Sequence, residues 1–201
     1  MTPGNTGLTL FTDADDLDGQ RLRWLVAEKG IETLRHVPVS AGQTNEDLLV
    51  FNARHDLPTL VERSLVVAGI DIVAEYLDAR YPYPAMMASD PAGRARMRMI
   101  LRTLQLDLET PLLASRRRAK DVDAALHLFD DLLGRRKYMV GGSITLVDIY
   151  LLPLLWRLGH HGHRWPKVPA LHDYALRLSQ RPAFRACLNR REATMSLEAP
   201  A

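Results

Sequence analysis

The run Tyr81-Pro82-Tyr83-Pro84 constrains this chain more than any other stretch. Neither proline can donate to a helix or a sheet ladder, so whatever precedes them has to end there. A few residues on, Ser89-Asp90-Pro91 carries the signature of a fresh helix start, an acidic cap followed by proline. A chain interrupted in this way buries its apolar residues in two parts. Charge divides at the same place. Residues 1–88 hold 7 Lys+Arg against 13 Asp+Glu, net −6, and residues 89–201 hold 19 against 11, net +8. The junction is placed within residues 81–90, giving domains over residues 1–84 and 85–201. With 47% hydrophobic and 25% charged residues in 201, each part has the material for a core.

The first part alternates. Leu8-Thr9-Leu10-Phe11 reads as a short strand, and Leu22, Leu25 and Val26 fall at helical spacing before Gly30, a natural stop. Glu32 to Val39 predicts a second strand, ending near Pro38, and Glu46 to Phe51 a short helical or irregular segment. Thr59-Leu60-Val61 and Leu65-Val66-Val67 predict a hairpin turning at Glu62-Arg63-Ser64, and Ile70, Val73, Ala74 and Leu77 a helix. The order βαβαββα defines an α/β sandwich with proline at the start of its third strand. It contains no Gly-rich phosphate loop.

The second part is helical throughout. Met97, Ile100, Leu101, Leu104 and Leu108 form one stripe, and Val122, Ala125, Leu126, Phe129 and Leu133 another. A third, from Val147 to Leu158, is apolar on nearly every face and opens with Thr145-Leu146-Val147-Asp148, a capping-box sequence flanked by Ile144 and Ile149. Leu171, Tyr174, Ala175 and Leu178 follow Pro169, and Arg181-Pro182 precedes a terminal helix.

Several function classes drop out. The longest nearly uncharged apolar run, Ile144 to Trp156, is broken by Asp148 and Pro153 and is too short for the roughly 20 residues of a membrane span. Met1-Thr2-Pro3-Gly4-Asn5 lacks the basic start and apolar stretch of a secretory signal, so a cytoplasmic location is expected. Cys187 is the single cysteine, which excludes an internal disulfide, a CxxC pair and a cysteine-based zinc site; burial as a small hydrophobe is expected.

Three imidazoles fall within Gly159-His160-His161-Gly162-His163, but without a nearby acid or Cys the reading is a surface loop and no metal site. His36, His55, His127 and His172 are scattered and form no pattern. Trp24 and Trp156 lie in helical stripes, whereas Trp165, beside Pro166, belongs to a loop. Arg94, Arg96, Arg98 and Arg102, Arg116-Arg117-Arg118 with Lys120, and Arg135-Arg136-Lys137 make the helical part basic. They lack interleaved aromatics and helix-turn-helix spacing, so sequence-specific nucleic-acid binding is not expected.

Leu57-Pro58-Thr59-Leu60-Val61, Glu75-Tyr76-Leu77-Asp78 and Thr145-Leu146-Val147-Asp148, in that order across almost the whole chain, resemble the glutathione-transferase superfamily. The resemblance implies a thioredoxin-like N-terminal domain followed by an all-α C-terminal domain, with Pro58 cis and Leu57 turned toward a ligand groove. Within the superfamily, the match extends to the stringent starvation protein A family of bacterial regulators. The residues that carry it are Leu10-Phe11, Ala27-Glu28-Lys29-Gly30, Glu75 to Pro82, and Tyr150-Leu151-Leu152-Pro153-Leu154-Leu155-Trp156-Arg157-Leu158. That resemblance implies transcription regulation in the stress response, association with RNA polymerase holoenzyme, and a homodimer. Tyr81, Pro82, Tyr83 and Pro84 occupy the family's surface patch for protein contact, with Tyr83 where the family carries His.

The catalytic side of the resemblance is poor. A glutathione transferase lowers the pKa of a bound thiol with a Tyr, Ser or Cys near the start of the first helix. Here that position falls at Asp16, within a run that also holds Asp13, Asp15 and Asp18. An ionised carboxylate has no hydrogen to donate to a thiolate, and its charge raises the thiol pKa. Thr12 is the one hydroxyl left, the catalytic candidate if the chain is an enzyme. The family holds the γ-glutamyl carboxylate with an acidic residue and Ser at the third helix N-terminus; the corresponding positions are Gly69 and Ile70, without polar side chains. The expectation is a noncatalytic regulator with no cofactor. The alternatives are a glutathione-dependent enzyme with an atypical site, and a groove serving another small ligand or a heteromeric partner.

Overall fold

The computed structural model describes residues 7–40, 42–114 and 119–197. Met1 to Asn5 and Arg116-Arg117-Arg118 of the basic cluster lie outside the described residues. The chain divides after Pro84 into two units.

The first unit runs β1 (Leu8–Asp13), α1 (Leu17–Glu28), β2 (Leu34–Val39), α2 (Glu46–Phe51), β3 (Thr59–Glu62), β4 (Leu65–Ala68) and α3 (Ile70–Arg80). The sheet order is β2-β1-β3-β4, with β1 parallel to β2 and antiparallel to β3, and β3 antiparallel to β4. Pro38 sits in β2 opposite Thr12, tolerated because β2 is an edge. β1 is central and buried along five of its six residues, Thr9 and Thr12 among them, so both of its faces are covered. Phe11, Val39, Leu48 and Val61 form the core on the α2 side, joined by Val37, Phe51 and Leu57. Strand alternation sends Leu10 and Leu60 to the opposite face. β3 and β4 are joined through Arg63 and Ser64, Arg63 taking a left-handed φ of 55°.

The start of α1 is built from two residues. Asp16 caps it, its Oδ1 accepting the Gly19 N–H. A Cβ on Gly19 would lie 2.4 Å from the Asp13 carbonyl oxygen and 2.8 Å from Asp16 Oδ1, so the turn closes this tightly only with glycine.

The second unit contains α4 (Pro91–Thr103), α5 (Thr110–Leu113), α6 (Ala119–Leu133), α7 (Leu146–Trp156), α8 (Pro169–Ser179) and α9 (Pro182–Cys187). Asp90 caps α4 through the Gly93 N–H at 2.8 Å, with Pro91 in the first turn. The single stripe expected from Met97 to Leu108 is not one regular helix: Leu104–Glu109 is wound as a π-helix. Pro111 lacks the N–H a regular helix needs there, while the Thr110 N–H and hydroxyl both donate to the Gln105 carbonyl.

All eleven residues of α7 are buried, as its all-round apolar sequence requires. Its one acid, Asp148, is 0% exposed and accepts four hydrogen bonds. They come from the Thr145 N–H (2.8 Å), the Thr145 hydroxyl (3.0 Å), the Met139 N–H (2.9 Å) and the Tyr174 hydroxyl (2.8 Å). Burial pushes the Asp148 carboxyl above the usual range against these donors, and pushes the Tyr174 phenol well above 10. At the far end of α7, Arg157 makes a buried 2.6 Å ion pair with Glu192, whose backbone carbonyl accepts the Trp156 indole N–H.

One expectation needs correction. His163 is not part of a surface loop: it is buried, with Nε2 3.0 Å from Asp123 Oδ1. Trp165 stands outside the helices but is buried, edge-on to the His172 ring. Cys187 is buried and its thiol donates to the Phe184 carbonyl.

Candidate functional site

Two places in the first unit bring together the residues singled out in the sequence. The first is a groove of about 450 Å³ whose wall includes Asp13, Val39, Gln43, Thr44, His55 and Leu57. It opens beside the cis bond between Leu57 and Pro58, and the Pro58 carbonyl accepts the Gly69 N–H at 2.9 Å. Leu57 is thereby brought to the groove. Pro58 is buried behind it, and Asp16 is committed to the cap of α1. Gly69 precedes α3 with φ of 95°, and the α3 start has no side-chain cap. Ile70 is the first residue of α3 and contributes no polar atom.

Thr12 is 1% exposed, and its hydroxyl lies 2.7 Å from His36 Nε2 on the neighbouring strand. Burial, aided by Arg23, lowers the His36 pKa, so the imidazole is neutral at pH 7. Neither group is offered to the groove. The acidic run is likewise tied down: Asp13 Oδ1 accepts the Asp15 N–H and Asp18 pairs with Arg21 at 2.9 Å. His55 has φ of 56°, and its Nε2 accepts the Asn45 N–H at the head of α2. The groove therefore offers the Asp13 carboxylate, the hydroxyl side chains of Ser40 and Thr44, and apolar surface from Val39, Leu49 and Leu57.

The second place is the loop from Tyr81 to Pro84. Tyr83 is 85% exposed, the most exposed large hydrophobic side chain among the described residues, and the prolines either side of it are also exposed. The Tyr83–Pro84 bond is cis. The loop is held from below by Lys29, which donates to the Tyr81 carbonyl at 2.7 Å and the Pro84 carbonyl at 2.8 Å. Arg80 lies 5.4 Å from the Tyr81 ring centroid and pairs with Glu62, which also accepts the Tyr76 hydroxyl. The Tyr76 bond holds the Glu62 carboxyl below its usual range.

Pattern reading found Asp16, Leu57, Pro58 and the loop, but not Lys29, His36 or His55. In the sequence, Lys29 stands out only within the Ala27-Glu28-Lys29-Gly30 resemblance. Among the described residues no group of three His, Cys, Asp or Glu is placed to hold a metal ion. The loop histidines diverge, His163 to Asp123 and His160 to Arg191 at 2.8 Å. No described helix is long and apolar enough to cross a membrane.

A thioredoxin-like unit with a cis-proline groove, followed by a helical unit with a buried capping box, defines a protein of the glutathione-transferase fold. The family model for the glutathione S-transferase C-terminal domain matches residues 109–182. Glutathione transferase Omega 3C from Trametes versicolor superposes with a TM-score of 0.81 at 21% identity, covering 92% of this chain and 85% of that one. The stringent starvation protein A homolog of Coxiella burnetii is 31% identical over 199 residues, 94% of each chain, and that of Haemophilus influenzae 33% identical over 187 residues, 88% of each. The chain belongs to the stringent starvation protein A family of the glutathione-transferase superfamily.

Proposed function

We propose that this protein is a noncatalytic transcription regulator that binds RNA polymerase holoenzyme through Pro82-Tyr83-Pro84. The observation that carries the reading is the presentation of Tyr83, an aromatic ring 85% exposed on a loop whose flanking carbonyls are both fixed. An exposed tyrosine on a rigid support is costly to leave in water and suits a contact hot spot. Thr12 occupied by His36, Asp16 spent in a helix cap and Gly69-Ile70 at the start of α3 argue against thiol activation at the groove.

The protein acts in the cytoplasm as a homodimer, the −6 and +8 portions of two copies attracting one another. Immobilised protein is expected to retain purified RNA polymerase holoenzyme from the same cells at moderate salt; a flow-through holding all of the polymerase contradicts the reading.

One observation favours the rival, a glutathione-dependent enzyme: the groove beside cis Pro58 is open and lined by Leu57. Calorimetric titration with glutathione separates the two. Silence up to millimolar ligand supports the regulator, and micromolar binding, about −8 kcal/mol, supports the enzyme.

A further inference from the structure

We propose that Lys29 is a positioning residue for the Tyr83 contact, an inference that rests on the reading of Pro82-Tyr83-Pro84 as the binding surface. The Lys29 side chain is 0% exposed. Its ammonium has three hydrogens, and three acceptors surround it: Asp78 Oδ1 at 2.7 Å, the Tyr81 carbonyl at 2.7 Å and the Pro84 carbonyl at 2.8 Å. Taking an ammonium out of water costs several kcal/mol, and a well-packed apolar pair commonly serves stability as well as a buried ion pair does. Stability alone therefore does not account for a lysine at the end of α1.

What the ammonium does that an apolar side chain cannot is draw in the carbonyls at the two ends of a four-residue loop. With both turned inward, Pro82 and Tyr83 between them are left outward. The pairing with Asp78 neutralises the charge and ties the loop to the last turns of α3, while Arg80 covers the Tyr81 ring. A tetrahedral ammonium reaches three acceptors converging on a point, which a planar guanidinium does not. The partner that fits is a protein surface with an apolar recess for one phenol ring flanked by two prolines. In such a contact, order in the free loop is gained affinity, because less conformational freedom is lost on binding.

The test exchanges both members of the pair, Lys29→Met with Asp78→Leu, so that no buried charge is orphaned. Val73→Ala, a cavity in α3 away from the loop, serves as a control for lost stability. Two readouts are taken: the fluorine NMR signal of Tyr83 in fluorotyrosine-labelled free protein, assigned with Tyr83→Phe, and the affinity for RNA polymerase holoenzyme. The double variant is expected to shift or broaden the Tyr83 signal and to weaken polymerase binding at least tenfold, whereas Val73→Ala leaves both near wild type. An unchanged Tyr83 signal overturns the role of Lys29 whatever the polymerase does. A changed signal with undiminished binding, while Tyr83→Ala does weaken it, also overturns the inference and leaves the surface standing. If Tyr83→Ala binds as wild type, the proposed surface falls and the positioning role falls with it.

Discussion

The Thr12 hydroxyl and His36 Nε2 lie 2.7 Å apart across the two parallel strands β1 and β2, with Thr12 buried and His36 half-buried. The one hydroxyl near the first helix is thereby used inside the sheet. Thr12→Val is expected to lower stability by about 1 kcal/mol through the lost hydrogen bond, read by denaturant unfolding. It is expected to leave turnover of glutathione with an aryl halide at the uncatalysed rate, as in the wild type.

Burial of His36, aided by Arg23, gives the first unit an acid sensitivity. The folded pKa of His36 lies below its ordinary value near 6.5, so between the two the unfolded chain binds more protons than the folded one. Its contribution to stability is present above pH 6.5 and is lost as pH falls through the folded pKa. Of the groups facing it, Arg23 deepens the effect and Thr12 is neutral. The midpoint of unfolding is expected to drop on acidification below pH 6.5, and to drop less in His36→Gln.

Asp148 gathers four donors inside the helical unit, so Asp148→Ala leaves two N–H groups and two hydroxyls without their acceptor. The expected cost is about 3–5 kcal/mol in chemical denaturation. The Tyr174 phenol, raised well above 10, is neutral in the folded state where the unfolded chain would ionise. That contribution is present below pH 10 and is lost as pH rises beyond it. In an ultraviolet titration Tyr174 is expected to ionise only together with unfolding.

Gly19→Ala forces a methyl against the Asp13 carbonyl and the capping carboxylate of Asp16. The cap has to open, and a loss of about 2 kcal/mol or more is expected in thermal unfolding, combining overpacking with a lost N-cap.

Most of the fold was legible because its signals are local. Asp16, Asp90 and Thr145 mark helix starts by side chains that bond within three residues, and the β3–β4 hairpin shows as two short apolar runs around Arg63 and Ser64. What could not be read depends on distant partners. The pairing of Thr12 with His36 follows from the β1 and β2 register, and Lys29 meets acceptors 52 and 55 residues away. His163 is buried by an aspartate 40 residues earlier, and Arg157 is matched by Glu192, 35 residues later. The π-helix at Leu104–Glu109 had a local signal, Thr110-Pro111, hidden because the stripe from Met97 to Leu108 fits a regular helix well. Within the groove, the identities at Asp16, Gly69 and Ile70 were visible as departures from a family pattern, whereas His55 carries no mark in sequence of its left-handed backbone.

The proposed regulation by this protein depends on the Tyr83 loop meeting RNA polymerase. The direct measurement is the dissociation constant of polymerase holoenzyme for the wild type and for Tyr83→Ala, at one salt concentration and with folding of both checked by circular dichroism. A buried tyrosine at the centre of a contact is worth about 2 kcal/mol, so binding by the wild type and a loss of roughly thirtyfold on truncation are expected. Equal affinities, or no binding by either protein, would contradict the proposed contact.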